Sequence, residues 1–270
     1  MSITIRTTNI AIEQFSHYYF SKHLNRNIRV DIYTPSDYGQ NDDRYPIVYF
    51  NDGQDLPRIQ LVKKLQEQIN TGAIPPIIVV GIHANHDRMQ EYGVSTQIDY
   101  MGRGSRAGLH RRFVIEELLP FIKQHYRVTE YTAQRIFAGF SLGGLTAFDL
   151  VWNHADIFGK VGVFSGSFWW RSAPMYAHDP DANRMMHDIL YRSHKRDGLQ
   201  FWLQTGTKDE TEDRNNNGII DSIDDTNDII RALRYLGYAE NDIKYVEVEG
   251  GYHHPNTWSK VLPDFLQWAL

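Results

Sequence analysis

The sequence predicts an α/β fold in three layers, with a mostly parallel central sheet covered by helices on both faces. Short apolar runs rich in β-branched residues alternate along the chain with longer segments of helical periodicity. Parallel strands need crossover connections of a dozen or more residues, and the helical segments have that length. A chain of 270 residues fits one large domain, so we expect a single unit over residues 1–270.

Each element follows from its local pattern. Seven apolar runs bounded by turn residues are predicted as strands, over residues 28–33, 47–50, 77–82, 135–138, 161–164, 200–204 and 243–248. Six segments are predicted as helices, over residues 59–69, 113–126, 142–152, 182–191, 225–236 and 258–268. Ligands of such sheets bind at the carboxyl ends of the strands, which directs attention to residues 51–54, 139–144, 205–210 and 250–254.

Composition excludes several classes of function. The formal net charge is -5 and no stripe of Lys and Arg is present, so we expect no nucleic-acid partner. With Cys 0, disulfides and thiolate chemistry are excluded. No run approaches the roughly 20 apolar residues of a membrane span, so no membrane partner is expected. The start Met1–Arg6 lacks the pattern of an export signal, which favours a cytoplasmic location. The oligomeric state stays open.

Residues 139–144 have the pattern of a nucleophile elbow. The segment Gly-Phe-Ser-Leu-Gly-Gly lies between a predicted strand and a predicted helix, the setting in which a serine hydroxyl projects beyond the sheet. Gly139 and Gly143 flank Ser141 where a side chain would crowd the strained turn. Ser141 is therefore the candidate nucleophile, although the same string also arises by chance in ordinary turns.

The same fold supplies an oxyanion hole from two backbone amides. One is the amide of the residue after the nucleophile, here Leu142. The other follows an earlier strand, and the segment 51–54 offers that place, with Gln54 as our choice. An ordinary Asp-Gly turn is the alternative explanation of this segment.

In this fold the acid and the histidine follow the serine in chain order. His253 comes directly after the last predicted strand and is preferred over His254, whose backbone is restricted by Pro255. Asp209 leaves the carboxyl end of the strand before it and would orient the imidazole. Glu210 is its nearest rival, and a solvated carboxylate is the plain alternative.

An acidic, Asn-rich insertion at about residues 210–225 has the spacing of an EF-hand loop. Gly218 occupies the sixth position, where calcium loops turn sharply. The predicted calcium ligands are Asp213, Asn215, Asn217, the carbonyl of Ile219, Asp221 and Asp224. The loop resembles those of dockerins, which often end in aspartate. A structural Ca²⁺ is therefore a hypothesis, and a flexible turn-rich insertion is the alternative.

Taken together, these motifs resemble the family of α/β-hydrolases that includes esterase D, feruloyl esterases, enterochelin esterases and the mycolyltransferases. The resemblance covers nearly the whole chain and rests on residues 49–55, 87–92, 139–144 and 165–170, with His253 and Trp258. It implies an α/β-hydrolase fold, the triad and oxyanion amides already chosen, and a substrate pocket near Trp169 and Trp170. A pair of aromatic residues packed in the core would explain the same two tryptophans.

The expected function is hydrolysis of a small-molecule carboxylic ester through an acyl-enzyme, with no cofactor for catalysis. Transfer of the acyl group to an alcohol by the same triad is one alternative. A catalytically inert ligand-binding module is another, although the complete triad argues against it. A third places a metal on His83, His86 and Asp87, whose spacing is loose for such a site. Which ester is bound does not follow from the sequence.

Overall fold

A computed structural model describes residues 9–40 and 42–270. The start Met1–Arg6, used above for the expectation on export, lies outside the described residues. The strands are β1 Ile12–Ser21, β2 Arg26–Pro35, β3 Ile47–Asn51, β4 Ile78–Ile82, β5 Arg135–Phe140, β6 Lys160–Phe164, β7 Gln200–Lys208 and β8 Ile243–Tyr252. The helices are α1 Leu61–Asn70, α2 Arg88–Glu91, α3 Ala107–Arg112, α4 Leu119–His125, α5 Leu142–Asn153, α6 Met185–Tyr191, α7 Asp221–Tyr235 and α8 Pro255–Ala269.

All eight strands form one sheet in the order β1-β2-β4-β3-β5-β6-β7-β8. Strands β3 to β8 run parallel to one another, while β2 is antiparallel to both β1 and β4. The mostly parallel sheet predicted from the sequence is thus confirmed. The carboxyl ends of the six parallel strands share one edge, where ligand sites of such sheets form.

Helices cover both faces of the sheet and bury a separate apolar core on each. One core packs Leu145 and Phe148 of α5, Leu233 of α7 and the segment around Phe113 against the sheet. The other contains α1 and α8, with Phe265 of α8 at its centre. The central strands β3 and β4 are buried along their whole length, as expected for strands covered on both faces.

All seven predicted strands are present, but the sequence did not indicate β1. Among the described strands, this edge strand pairs only with β2, and it exposes Phe15, Tyr18 and Phe20. With most of its residues at least partly solvated, it lacks the continuous apolar run used to find the others. The predicted helix over 113–126 is more elaborate, because α3 leads into a π-helical turn, Phe113–Leu118, before α4.

The starts of α6, α7 and α8 also differ from the prediction by three or four residues. Helix α7 begins at Asp221, within the acidic insertion, and α8 begins at Pro255, directly after the two candidate histidines. Helix α6 begins only at Met185. No helix in residues 9–40 or 42–270 has the length and apolar character needed to cross a membrane.

Candidate active site

The candidate nucleophile Ser141 lies between the end of β5 and the start of α5. Its backbone has φ 56° and ψ -125°, a conformation with positive φ that non-glycine residues rarely adopt. Its N–H donates to the carbonyl of Phe164 at 2.8 Å, which ties the turn to β6. The side chain is thereby held on a strained turn at the carboxyl edge of the sheet, as the strand–turn–helix pattern predicts.

Two glycines make this turn sterically possible. A Cβ at Gly139 would lie 2.3 Å from the carbonyl oxygen of Gly143, well inside van der Waals contact. A Cβ at Gly143 would lie 2.4 Å from Oδ2 of Asp52. Both contacts involve groups that have little room to move, because Asp52 is almost fully buried. A side chain at Gly139 would push the end of β5 away from the start of α5, and one at Gly143 would push the elbow away from the loop that follows β3.

The loop after β3 is held by a buried ion pair that the sequence did not reveal. Asp52 has left-handed backbone angles and precedes the short 3-10 turn Gly53–Asp55. Arg88 on α2 donates from Nε to Oδ1 and from Nη2 to Oδ2 of Asp52, each at 2.7 Å. A bidentate pair of this kind fixes direction as well as distance. Arg88 also reaches the carbonyl of Phe140, immediately before the nucleophile, at 3.4 Å.

Gln54, chosen for its backbone amide, lies in the turn that Asp52 begins. The hydrogen bonds of the turn run from Asp55 N–H to Asp52 and from Leu56 N–H to Gly53. Its side chain donates to Oδ1 of Asp52 at 3.0 Å and accepts from the amide of Ala84 at 3.0 Å. Leu142 is the first residue of α5, where helix amides have no partner within the helix. The loop and the helix start face each other, because Asp52 contacts Gly143.

The register of the last two strands places Asp209 and His253 together. Lys208 pairs with Tyr252 at the end of the β7–β8 ladder, so Asp209 and His253 leave adjacent strands at the same level. Gly206 permits this arrangement, since a Cβ there would lie 2.4 Å from the carbonyl of Gly251 and 2.7 Å from Oδ1 of Asp209. The two residues that the chain order suggested are therefore neighbours in space.

One oxygen of the Asp209 carboxylate accepts a hydrogen bond, and the other has no hydrogen-bond partner among the described residues. Oδ2 accepts the N–H of Gly206 at 3.0 Å, while Oδ1 is buried without a hydrogen bond of ordinary geometry in the described part of the chain. Burial raises the pKa of Asp209, and the Gly206 amide, the Ser165 hydroxyl and the charge of His253 oppose that rise. A buried carboxylate oxygen that lacks a partner and lies near a histidine can accept from its ring.

His253 is the first residue after β8 and neighbours Asp209, the first residue after β7. Its ring meets the indole of Trp258 edge to face at 5.5 Å. Partial desolvation lowers the pKa of His253 and the positive charge of Arg88 lowers it further, whereas Asp209 opposes both. Within the residues described, the ring hydrogen-bonds neither Ser141 nor Asp209. In enzymes without substrate such bonds are often long, and they shorten when the substrate complex forms. His254 instead caps α8, accepting at Nδ1 from the amide of Asn256.

The two tryptophans expected to line a pocket lie in different environments. Trp169 is 37% exposed, and the guanidinium of Arg103 lies over its ring at 5.2 Å. Trp170 is fully buried and packs against the backbone of Gly93. This burial favours the core-packing explanation for Trp170.

The acidic insertion does not support the calcium hypothesis. Among the residues described, no three His, Asp or Glu side chains are grouped to hold a metal ion. Asn215 and Asn217 turn their amide nitrogens, not their oxygens, toward Oδ2 of Asp224, at 2.9 and 2.7 Å. Arg214 places its backbone N–H and its guanidinium against Asp221. The predicted ligands Asp213, Asn215, Asn217, Ile219, Asp221 and Asp224 thus belong to a loop closed by its own hydrogen bonds and by Arg214.

Glu210, the rival to Asp209, has a partly buried carboxyl group beside the acidic insertion. Burial, together with the charges of Asp221, Asp225 and Glu212, raises its pKa to about 7, and its Oε1 lacks a hydrogen-bond partner in the part of the chain described. Between the ordinary glutamate pKa and about pH 7, the folded state therefore binds a proton at Glu210 that the unfolded state has released. Ionisation of Glu210 destabilises the fold, and this penalty grows as pH rises from the ordinary glutamate pKa toward 7.

We accordingly expect Glu210→Gln to raise the melting temperature at about pH 8 and to leave it nearly unchanged at about pH 4, where Glu210 is protonated in both states. Thermal unfolding at the two pH values measures the effect. Glu249→Gln, which removes an exposed carboxylate that is not among the charges acting on Glu210, is the control and should shift the melting temperature much less. Equal gains for Glu210→Gln at both pH values would contradict the assignment.

The alternative metal site after β4 is also not formed. Nε2 of His83 hydrogen-bonds Oδ2 of the buried Asp31 at 2.7 Å. The His86 side chain is 87% exposed and meets Asp87 only at 3.6 Å. These residues therefore act as a structural pair and a surface pair.

Sequence reasoning missed Arg88 and Ser167 as members of the site. Arg88 and Asp52 stand 36 positions apart, and the Oγ of Ser167 lies 3.4 Å from the Oγ of Ser141, 26 positions away. Both residues occur in stretches that carried the family resemblance, which was the available signal. Nothing local to either residue indicates the contact that it makes.

The chain belongs to a known family of hydrolases. A family model described as "Putative esterase" matches residues 21–269, nearly the whole chain. The family and the fold together define the protein as a carboxylic-ester hydrolase with an α/β-hydrolase fold, as the sequence predicted.

Individual relatives are distant. The uncharacterized protein YbbA of Bacillus subtilis (strain 168) is 23% identical over 252 residues, which cover 92% of this chain and 94% of YbbA. Among solved structures, a ferulic acid esterase matches with TM-score 0.74 at 19% identity, over 97% of this chain and 98% of that one. The enterobactin esterase of Shigella flexneri matches with TM-score 0.75 at 20% identity, over 95% of this chain but only 58% of its own length. At these identities the structural matches establish the fold.

Proposed function

We propose that the protein hydrolyses a small-molecule carboxylic ester through an acyl-enzyme, with Ser141 as nucleophile, His253 as general base and Asp209 as the acid that orients it. The observation that carries this is the joint placement of the three groups at one edge of the sheet. Ser141 stands on a strained elbow with φ 56°, and the β7–β8 register sets Asp209 beside His253. A serine nucleophile needs this combination of projection and an adjacent base.

In this mechanism the hydroxyl of Ser141 attacks the ester carbonyl while His253 takes its proton. The Oδ1 of Asp209, buried and without a partner among the described residues, accepts the other ring N–H and stabilises the imidazolium. The amides of Leu142 and Gln54 would donate to the oxyanion, and the Asp52–Arg88 pair holds the second of these in place. His253 then protonates the leaving alcohol, and water activated by the same base releases the acid.

The acyl group of the substrate is proposed to be aromatic. A ferulic acid esterase, one of the structural relatives described above, is named for an aromatic acid. The exposed face of Trp169, beside Arg103 and two residues from Ser167, offers an aromatic surface close to the nucleophile. A panel of aryl, alkanoyl and feruloyl esters tests this part, and a preference for alkanoyl esters would contradict it.

A fluorophosphonate probe tests the nucleophile directly. We expect one equivalent of label per chain, located at Ser141 by peptide mapping, and none in Ser141→Ala. Equal labelling of the two proteins would overturn the proposed function. Product analysis with added alcohols would show at the same time whether water is the acceptor of the acyl group.

The proposed base predicts a pH dependence. Protonated His253 cannot accept a proton, so kcat/KM falls on the acid side of its pKa. Because desolvation and Arg88 lower that pKa below the ordinary histidine value, activity should persist to lower pH than a solvated histidine allows. A profile of kcat/KM from about pH 4 to 9 measures this. An acid limb centred clearly above the ordinary value near 6.5 would contradict the environment described for His253.

A further inference from the structure

A second hydroxyl lies against the candidate nucleophile. The Oγ of Ser167 is 3.4 Å from the Oγ of Ser141, and this is its only hydrogen bond within the described residues. Ser167 is 4% exposed, so its hydroxyl does not have bulk water as a ready alternative. A buried hydroxyl whose one partner is the reacting atom of the site differs from a serine that merely fills space.

The turn after β6 carries Ser167 and is joined to Ser141 by two backbone hydrogen bonds. The N–H of Ser167 donates to the carbonyl of Ser141 at 3.2 Å, and the N–H of Ser141 donates to the carbonyl of Phe164 at 2.8 Å. Ser165, two residues earlier, has φ 48°, and its hydroxyl accepts from Nε1 of Trp258 at 2.9 Å. This turn is therefore strained and pinned by hydrogen bonds, which places the Ser167 hydroxyl in a reproducible position.

We propose that Ser167 is a catalytic residue whose hydroxyl donates a hydrogen bond to the Oγ of Ser141 as that oxygen attacks. This inference rests on the proposed function. Ser141 must give its own proton to His253, so the contact between the two hydroxyls requires Ser167 to be the donor during attack. In the step, the O–H bond of Ser141 breaks, its proton moves to His253, and a bond forms between Oγ and the carbonyl carbon. The O–H bond of Ser167 stays intact.

The strength of this contact changes along the reaction. At 3.4 Å between neutral hydroxyls the bond is long and weak in the resting enzyme. While the proton of Ser141 moves to His253 and before the bond to the carbonyl carbon is complete, the Oγ of Ser141 carries partial negative charge, and a hydrogen bond to it becomes shorter and stronger. An interaction that strengthens toward the transition state raises kcat and leaves substrate binding largely unchanged.

Ser167→Ala removes the donor and tests the proposal. We expect the rate constant of fluorophosphonate labelling, and kcat for ester hydrolysis, to fall about 10- to 100-fold, the range for a hydrogen bond to a charged group. KM should change little, and labelling should still reach one equivalent per chain. Ser21→Ala is the matched control, because Ser21 is also fully buried and its hydroxyl makes one hydrogen bond, to the amide of Leu24 in another part of the fold.

A second hydroxyl-free variant, Ser167→Gly, separates the hydrogen bond from packing. Both variants should be slowed to a similar extent if the hydroxyl is what matters. Wild-type labelling rates in either variant, or a loss of rate matched by an equal rise in KM, would overturn the role of Ser167. Labelling that persists in Ser141→Ala would instead overturn the proposed function, so the two failures are distinguishable.

Discussion

Replacement of Ser141 by alanine is expected to lower kcat for ester hydrolysis by about 10⁴- to 10⁶-fold, the range seen when a serine nucleophile is removed from a triad. The loss is this large because Ser141 supplies the hydroxyl that stands on the elbow and forms the acyl-enzyme. Turnover of an activated aryl ester, measured with enough protein to quantify the residual rate, checks the value. The melting temperature should change little, since the Ser141 side chain makes no capping hydrogen bond to α5.

Ser21→Ala again serves as the control and should retain full activity. A residual activity in Ser141→Ala within about tenfold of wild type would remove Ser141 from the mechanism, and attention would move to Ser167 as an alternative nucleophile. A large fall in melting temperature would instead mean that the alanine variant loses activity through misfolding of the elbow.

Arg88→Ala should have the second-largest effect, on stability and activity together. The Asp52 side chain is 1% exposed and, of the side-chain donors in the described part of the chain, would keep only the Gln54 amide. Removing one partner of a buried ion pair leaves an uncompensated charge and costs about 3 kcal/mol or more. Urea denaturation measures the free energy of unfolding. Activity should fall as well, because the loop carrying the Gln54 amide loses the group that fixes it.

A matched surface pair is available as the control. Arg58 pairs with Asp55 at 2.8 Å, with 58% of the Arg58 side chain exposed, so Arg58→Ala should cost less than about 1 kcal/mol. The acid limb of the pH profile adds a further readout, because loss of the Arg88 charge should raise the pKa of His253. Equal destabilisation by the two substitutions would show that the Asp52–Arg88 pair has no special role.

The sequence patterns predicted those features of the fold that one contiguous segment of the chain determines. Strands such as β3 and β4 are buried on both faces and therefore appear as continuous apolar runs, whereas the half-solvated β1 does not. The elbow at Ser141 was predictable because its glycines, strand and helix are contiguous. The four residues of α2 are too few to show a period, so the helix that carries Arg88 was missed.

Contacts between distant segments explain the remaining differences. The position of Asp209 beside His253 depends on how far β7 and β8 extend, and the pairing of Lys208 with Tyr252 lies beyond the apolar runs. In the acidic insertion the oxygen-rich spacing was real, but the orientation of the Asn side chains and the presence of Arg214 decide how the loop closes. Neither can be read from spacing alone.

The proposed catalytic residues follow both a central strand and an edge strand of the sheet. Ser141 follows β5, which has strands on both sides, whereas His253 follows β8, the last strand in the order. Edge elements exchange with solvent through local opening at lower free energy than central ones. A brief separation of β8 from β7 would carry the base away while the elbow stays intact, and it would disturb the apolar cores where Ile243, Val246 and Val248 pack. Activity is therefore expected to depend on the stability of one sheet margin, and mild denaturing conditions would inactivate the enzyme before its central strands unfold.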